Sequence, residues 1–188
     1  NSLGAYKVDR RKKHILYLET LKTYTERAIV NGCHNLFYPG GTRSRSGSIE
    51  KNLKLGLLGS TLEAQKELNK VNKKIYIVPV TFNYQFVLEG PALINQYLFK
   101  NKLNKDLGYS NTFKIFTFLI KYFTRSNRMA VSFGNPLDIY GNIVDNEGNP
   151  INNNNLSIEK NNKKEILNTL SEKIINELME GTVVFSSL

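Results

Sequence analysis

Segments that favour helix alternate along this chain with segments that favour strand, and this alternation constrains the fold more than any other feature. Helical spacing of apolar residues predicts helices over residues 14–31, 49–68 and 156–180. β-Branched and aromatic runs predict short strands at 34–39, 74–84 and within 128–140. Layers of helix and sheet bury the apolar faces of such a sequence. We therefore predict an α/β fold with a layered mixed sheet flanked by helices, in a single domain.

The predicted helices have clear apolar faces. In the last helix the buried stripe is Ile166, Leu170, Ile174 and Leu178. In the middle helix the expected buried set is Leu53, Leu57, Leu58, Leu62 and Leu68. Gly32 suits the position that follows the first helix. Pro79 lies inside a strand pattern, which indicates an edge strand, a bulge or the end of the strand.

The net charge of the chain points to an anionic partner. There are 26 Lys and Arg residues against 16 Asp and Glu, which gives a formal net charge of +10. Nucleic acid, an anionic membrane surface and phosphorylated small molecules all remain open on charge alone. No window holds the roughly 20 apolar residues that a membrane-spanning helix needs. Cys33 is the sole cysteine, so no intrachain disulfide can form, and we expect it to be a small buried residue.

The segment YPGGTRSRSG, residues 38–47, combines three glycines and two arginines with no acidic residue. Between a strand and a helix it would form a phosphate cradle, because glycines let backbone N–H groups turn inward and a helix start favours anions. Arg43 and Arg45 are two residues apart and would point the same way in an extended loop. A solvated Arg/Ser loop is the alternative, and the chemistry alone leaves both open.

FYPGGTRSRSG (37–47) resembles the third conserved block of the glycerolipid acyltransferases, which commonly reads Phe-Pro-Glu-Gly-Thr-Arg-Ser. GAYKVDR (4–10) resembles the second block and IVPVTFNY (77–84) the fourth, in the family's order. FVLEGP and VSFGNPLDIY are similar to segments that follow in the glycerol- and dihydroxyacetone-phosphate branch. The resemblance implies that residues 1–188 are the C-terminal part of an acyltransferase domain with that family's fold, so we expect the domain to be incomplete in this chain.

The resemblance also implies which residues bind the substrates. The acceptor's phosphate would be held by the loop residues Gly41, Thr42, Arg43, Ser44 and Arg45, and Arg10 would line the same site. The acyl-donor side would be shaped or supported by Val78, Pro79 and Val80.

Gly40 stands where the common block has Glu, so the acceptor contact attributed to that Glu is missing. Soluble plastid-type glycerol-phosphate acyltransferases also lack it and carry Gly-Gly-Arg-x-Arg instead. They have Lys-Lys-His after the second block, which RKKH (11–14) resembles. Lys13 and His14 are therefore candidate phosphate contacts. The alternative is that residues 10–13 only form a basic lead-in to a helix.

The family's catalytic first block, His-x4-Asp, is not found in this sequence. In the family the His is the general base on the acceptor hydroxyl and the Asp orients it. Glu19 follows His14 by five residues, but an i,i+5 pair on a helix does not face properly. We therefore place no catalytic residue in this chain and expect the block upstream of Asn1.

The aromatic and basic stretch 112–128 has two interpretations. It would form an interfacial helix on a membrane surface, or a core helix packed on the sheet. The first, with the absence of a spanning segment, suggests a cytoplasmic protein that is peripheral on a membrane.

The leading hypothesis is the acceptor-binding part of an O-acyltransferase in phospholipid synthesis. It would move a fatty acyl group from coenzyme A or acyl carrier protein to glycerol 3-phosphate or a related glycerol phosphate. We expect no metal and no organic cofactor, since the two histidines are 20 residues apart without a clustered Cys or carboxylate set. The alternatives are a basic nucleic-acid-binding module and a non-catalytic, membrane-associated relative of the acyltransferases.

The missing catalytic block generates the first prediction. The chain by itself should transfer no acyl group, because no general base is positioned to deprotonate the acceptor hydroxyl. An acyl-transfer assay with glycerol 3-phosphate and an acyl thioester measures this. Turnover well above a protein-free control would contradict it.

Overall fold

Three α-helices and a two-stranded antiparallel sheet form the regular structure of the described chain. The computed structural model describes residues 8–9, 11–40, 51–85, 94, 98, 128–151 and 162–185. The elements are α1 (Ile15–Val30), α2 (Leu55–Leu68), a 3-10 helix (Asn69–Val71), β1 (Val80–Tyr84), β2 (Met129–Phe133) and α3 (Lys163–Glu180). The mixed α/β class is confirmed. Within these residues the sheet has two antiparallel strands, not the predicted layered mixed sheet.

The helix ends agree with the sequence at α1 and differ at α2. Gly32 has φ +82°, and its amide donates to the Ile29 carbonyl at 2.9 Å, as expected of a glycine that ends a helix. Helix α2 begins at Leu55 instead of residue 49. Its N-cap residue Lys54 is extended, and the Lys54 amide donates to the Pro39 carbonyl at 2.9 Å. That hydrogen bond stabilises the extended conformation of Lys54 and keeps the helix from starting earlier.

The core is a seam of leucine and isoleucine side chains between α2 and α3. Leu58, Leu137 and Leu170 are fully buried in it. The buried members of the cluster are Leu53, Leu58, Leu62, Leu137, Ile139, Ile166, Leu167, Leu170 and Ile174. The predicted stripe on the last helix is confirmed, with Leu178 partly buried against the cluster. Each buried leucine contributes about 1.5–3 kcal/mol, so this seam is the main stabilising feature of the described chain.

A β-bulge lies where β1 and β2 meet the core. Val80 pairs with Phe133, and an isolated bridge joins Ile77 to Leu137. From Val80 to Ile77 there are three residue steps, whereas from Phe133 to Leu137 there are four. The segment after β2 therefore has one extra residue, which defines a bulge. The Gly134 amide donates to the Pro79 carbonyl at 2.8 Å inside this bulge. The expectation that Pro79 marks a bulge or a strand end is confirmed, because β1 begins at the next residue.

The two faces of the sheet have different surroundings. Thr81 and Asn83 point towards the end of α3, where Thr81 Oγ1 and Asn83 Nδ2 donate to the Gly181 carbonyl at 2.7 and 3.1 Å. The opposite face carries exposed apolar side chains, among them Phe82 and Phe133, the latter 73% exposed. The strands thus present a polar face to α3 and an apolar face away from it.

The turn-rich segment after β2 folds back on itself and joins the core. Gly141 and Gly148 have φ of +85° and +79°, which a side chain would strain. Bridges pair Leu137 with Ile143 and Val144 with Pro150. Turn-forming residues over 141–155 predict a surface excursion or a hairpin. The described part follows a hairpin-like path with residues 145–147 and 149–151 exposed, while Val144 is buried.

Two expectations about residues 33–39 are wrong. Residues 34–39 form no strand, because their backbone finds no ladder partner among the described residues. Leu36 and Tyr38 are exposed, and only Phe37 packs against the core. Cys33 is exposed, not buried, because the turn at Gly32 directs the chain away from the helices.

Ion pairs tie the three helices together at the surface. Arg27 of α1 lies 3.0 Å from Glu67 of α2, and Lys163 of α3 lies 2.6 Å from Glu63 of α2. Hydrogen bonds from Lys163 and Lys66 hold the pKa of the Glu63 carboxyl below its ordinary value of 4.5. Glu63 is therefore ionised in the folded protein at neutral pH.

The Glu63 ion pairs predict an acid-dependent stability. Because the folded-state pKa is lowered, their contribution is fully present well above pH 4.5 and is lost as the pH falls below that value. Glu63→Gln should lower the free energy of unfolding by about 1 kcal/mol at pH 7 and by less near pH 3. Thermal denaturation across this range measures the difference, with the exposed Glu172→Gln as the matched control. A pH-independent difference would contradict the assignment.

Candidate substrate-binding site

The basic run at residues 11–14 leads directly into α1. Arg11 binds Asp9, with the Arg11 amide 3.1 Å from the carboxylate, and Lys12 lies over the Tyr17 ring at 5.7 Å. Lys13 and His14 are exposed, and their side chains have no partner among the described residues. Two of the four basic groups are thus occupied, and the two that the sequence singles out are available to a ligand.

His14 is the N-cap residue of α1, and its side chain makes no capping bond. The Leu18 amide donates to the His14 carbonyl at 3.1 Å. The amides of Ile15, Leu16 and Tyr17 have no acceptor in the part of the chain that the structure describes. A helix start with uncapped amides carries a partial positive charge. Lys13 and His14 therefore stand where an anion is favoured. Residues 11–14 also lead into α1, as the alternative interpretation expected. A basic lead-in to the helix and a phosphate contact are compatible.

Most of the predicted phosphate loop lies outside the described residues. This applies to Gly41, Thr42, Arg43, Ser44 and Arg45, and to Arg10. Among the described residues on either side, the Lys54 amide donates to the Pro39 carbonyl at 2.9 Å, one residue before α2 begins. The predicted helix after the loop is confirmed as α2, and the predicted strand before it is not found in residues 34–39.

The three residues predicted for the acyl-donor side divide into two roles by their environment. Val78 is exposed and lies two residues before β1, and Val80 is half-buried and begins it. Their spacing of two places both on the side of the chain that continues as the apolar face of β1. Pro79 is buried on the side of the strand that faces α3, beside the bulge. Val78 and Val80 are thus placed to contact a ligand, whereas Pro79 is placed to support them.

A groove of about 380 Å³ between the three helices contains none of these residues. Its lining includes Glu19, Lys22, Glu26, Gly56, Ser60 and Lys163. Its charges pair with one another, as in the 2.6 Å contact between Lys22 and Glu19. Glu19 is an exposed helix residue as predicted, and it contacts Lys22 instead of His14. The mixed charge of this groove does not favour a phosphate.

The described residues contain neither a candidate metal site nor a helix that could span a membrane. No group of three His, Cys, Asp or Glu side chains there could hold a metal ion. None of the helices found there is long and apolar enough to cross a membrane. The stretch 112–127, for which a membrane-facing or core helix was considered, lies outside the described residues.

Comparison with known proteins bears on the resemblance. The chain is 34% identical over 124 residues to a protein named glycerol-3-phosphate acyltransferase from Pseudoalteromonas translucida (strain TAC 125). A protein of that name from Pseudoalteromonas atlantica is 29% identical over 124 residues, and one from Alteromonas mediterranea is 35% identical over 81 residues. The chain is homologous to a part of the glycerol-3-phosphate acyltransferases. The recognition made from the sequence blocks is confirmed.

The match covers only a small part of the three related proteins. It covers 66%, 66% and 43% of this chain but only 14%, 14% and 10% of the three acyltransferases. No family model matches the chain. No solved structure matches it. The sequence similarity to glycerol-3-phosphate acyltransferases is therefore confined to a short part of those longer proteins.

Sequence reasoning missed one residue beside the candidate donor surface. Glu177 of α3 is only 9% exposed, and its Oε2 accepts a hydrogen bond from the Asn135 amide at 2.7 Å. The signal was present in the spacing, since Glu177 follows Leu170 and Ile174 by seven and three residues and continues their stripe. A glutamate on an apolar stripe should have been read as a buried, hydrogen-bonded carboxylate.

Proposed function

We propose that this chain is the acceptor-binding part of an O-acyltransferase. It binds glycerol 3-phosphate or a related glycerol phosphate, whose hydroxyl attacks the carbonyl of a fatty acyl thioester carried by coenzyme A or acyl carrier protein. No residue of this chain is assigned as the catalytic base. The names of the homologous proteins support a glycerol-phosphate acceptor.

The observation that carries the proposal is the unpaired basic group at the start of α1. Lys13 and His14 have no partner among the described residues and flank amides that are themselves uncapped. A phosphate there would gain charge-assisted hydrogen bonds and a favourable helix start together. Arg43 and Arg45, on the loop anchored between Pro39 and Lys54, would supply the guanidinium groups. With Gly40 in place of Glu, the segment 38–47 carries no acidic residue, so its grip on the phosphate would depend on Arg43, Arg45 and backbone N–H groups.

The apolar face of β1 is proposed as the donor side. Val78, at 47% exposed, and Val80 lead onto a surface that Phe82 and Phe133 continue. Such a surface suits the hydrocarbon of an acyl chain, because contact would remove apolar area from water on both partners. The acceptor's phosphate and the acyl group thus require surfaces of opposite character, and the chain has both.

A peripheral position on a membrane, through 112–128, is part of the same proposal. The net charge of +10 would favour anionic headgroups, and an acyltransferase of this kind makes a lipid product. A cytoplasmic location fits the single, exposed cysteine.

Binding of glycerol 3-phosphate tests the proposal. By isothermal titration calorimetry the chain should bind it saturably, and Arg43→Ala should weaken binding by about tenfold or more, the effect of losing a charge-assisted bond. Lys13→Ala and His14→Ala should each weaken it several-fold.

The matched control is Lys164→Ala. Lys164 is also exposed and in the first turn of a helix, but in α3, away from the proposed site. It should leave the affinity unchanged. Absence of saturable binding, or equal affinity in the Arg43→Ala variant, would refute the acceptor site. Oligonucleotide binding with a steep salt dependence would favour the nucleic-acid module instead.

A further inference from the structure

Glu177 is a buried carboxylate without a cationic partner. It is 9% exposed, and none of the ion pairs of the described residues includes it. Burial of a carboxylate is costly unless hydrogen bonds compensate. Here both compensating donors belong to Asn135, with the amide at 2.7 Å from Oε2 and Nδ2 at 3.4 Å from Oε1. Both of these hydrogen bonds to the carboxylate thus come from Asn135, in the bulge after β2.

Gly134 makes this approach feasible. A Cβ atom at Gly134 would lie 3.0 Å from Glu177 Oε2, 3.2 Å from Glu177 Cβ and 3.4 Å from the Pro79 carbonyl oxygen. A side chain there would have to push Glu177 away by a few tenths of an ångström, so the glycine lets the carboxylate approach the bulge this closely. The bulge is thus held between α3 and Pro79.

The same bulge fixes the strand segment that carries the proposed donor surface. The Gly134 amide donates to the Pro79 carbonyl at 2.8 Å. Pro79 has no N–H with which to join a strand ladder, so its carbonyl is its only backbone link there. Val78 and Val80 flank it and point to the opposite, apolar side. A displacement of the bulge would therefore move both valines.

We propose that Glu177 is a positioning residue for the acyl-donor surface, which it holds through Asn135, Gly134 and Pro79. This inference rests on the proposed function of Val78 and Val80. Glu177 itself touches no reacting atom. Glu177 sets the distance between β1 and α3, and this distance sets the position of the apolar face that contacts the acyl chain.

The experiment uses the full 188-residue chain with palmitoyl-coenzyme A, kept below its micelle-forming concentration, and glycerol 3-phosphate in parallel titrations. Glu177→Ala should raise the Kd for palmitoyl-coenzyme A by about tenfold, the effect of losing hydrogen bonds to a buried charge. The Kd for glycerol 3-phosphate should stay within about twofold, since Lys13 and His14 lie on another element. General loss of folding would weaken both ligands together.

Three further variants separate position from charge. Glu177→Gln should retain most of the affinity, because its amide oxygen still accepts from the Asn135 amide. Gly134→Ala removes no hydrogen-bonding group but places a Cβ atom 3.0 Å from Glu177 Oε2, so that Glu177 must shift by a few tenths of an ångström. It should weaken palmitoyl-coenzyme A binding in the same direction as Glu177→Ala, by a smaller factor. Glu180→Ala, an exposed carboxylate of the same helix, is the control and should change neither Kd.

The outcomes are distinct. Unchanged palmitoyl-coenzyme A binding in Glu177→Ala, equal weakening of both ligands, or a Glu177→Gln variant as weak as Glu177→Ala would each overturn the positioning role. If Glu177→Ala does not fold, Gly134→Ala decides, and unchanged affinity there overturns it. Lack of palmitoyl-coenzyme A binding by the unaltered chain would overturn the proposed donor side as well, which separates the two failures.

Discussion

The buried contact between α2 and α3 is the interaction on which the described structure depends. Leu58 and Leu62 on one helix meet Ile166 and Leu170 on the other, about 100 residues later in the sequence. The fully buried Leu137 joins them from the segment after β2. A two-stranded sheet is marginal in water by itself. Here β1 and β2 gain their stability because the chain on either side of the bulge is fastened to this core.

Both candidate ligand surfaces adjoin that core through identifiable hydrogen bonds. The residues before and after the predicted phosphate loop meet where the Lys54 amide donates to the Pro39 carbonyl, immediately before α2. The sheet is fixed by the last turn of α3, through Gly181 on its polar face and Glu177 at the bulge. Substrate-binding groups on loops and strand ends need such rigid support to hold a geometry. In the proposed function, exposed segments would bind the substrates and buried residues would orient those segments.

The sequence predicted elements with strong periodicity and missed features set by distant partners. The stripe from Ile166 to Leu178 follows from spacing alone, and Gly32 follows from the φ that a helix end requires. Residues 34–39 look like a strand by composition, but a strand exists only where another strand pairs with it. Glu177 was missed because its environment comes from Asn135, 42 residues away. The resemblance to acyltransferases came from the order of the blocks, and the names of the homologous proteins agree with the family that it indicated.

We propose that the start of α1 and the loop before α2 bind one phosphate together. Titration of the ¹⁵N-labelled chain with glycerol 3-phosphate, followed by amide chemical shifts, tests this most directly. We expect shifts concentrated in residues 11–18 and 38–54, with both groups saturating at the same Kd. Shifts confined to one group, different Kd values for the two, or a response centred on the groove between the helices would contradict it.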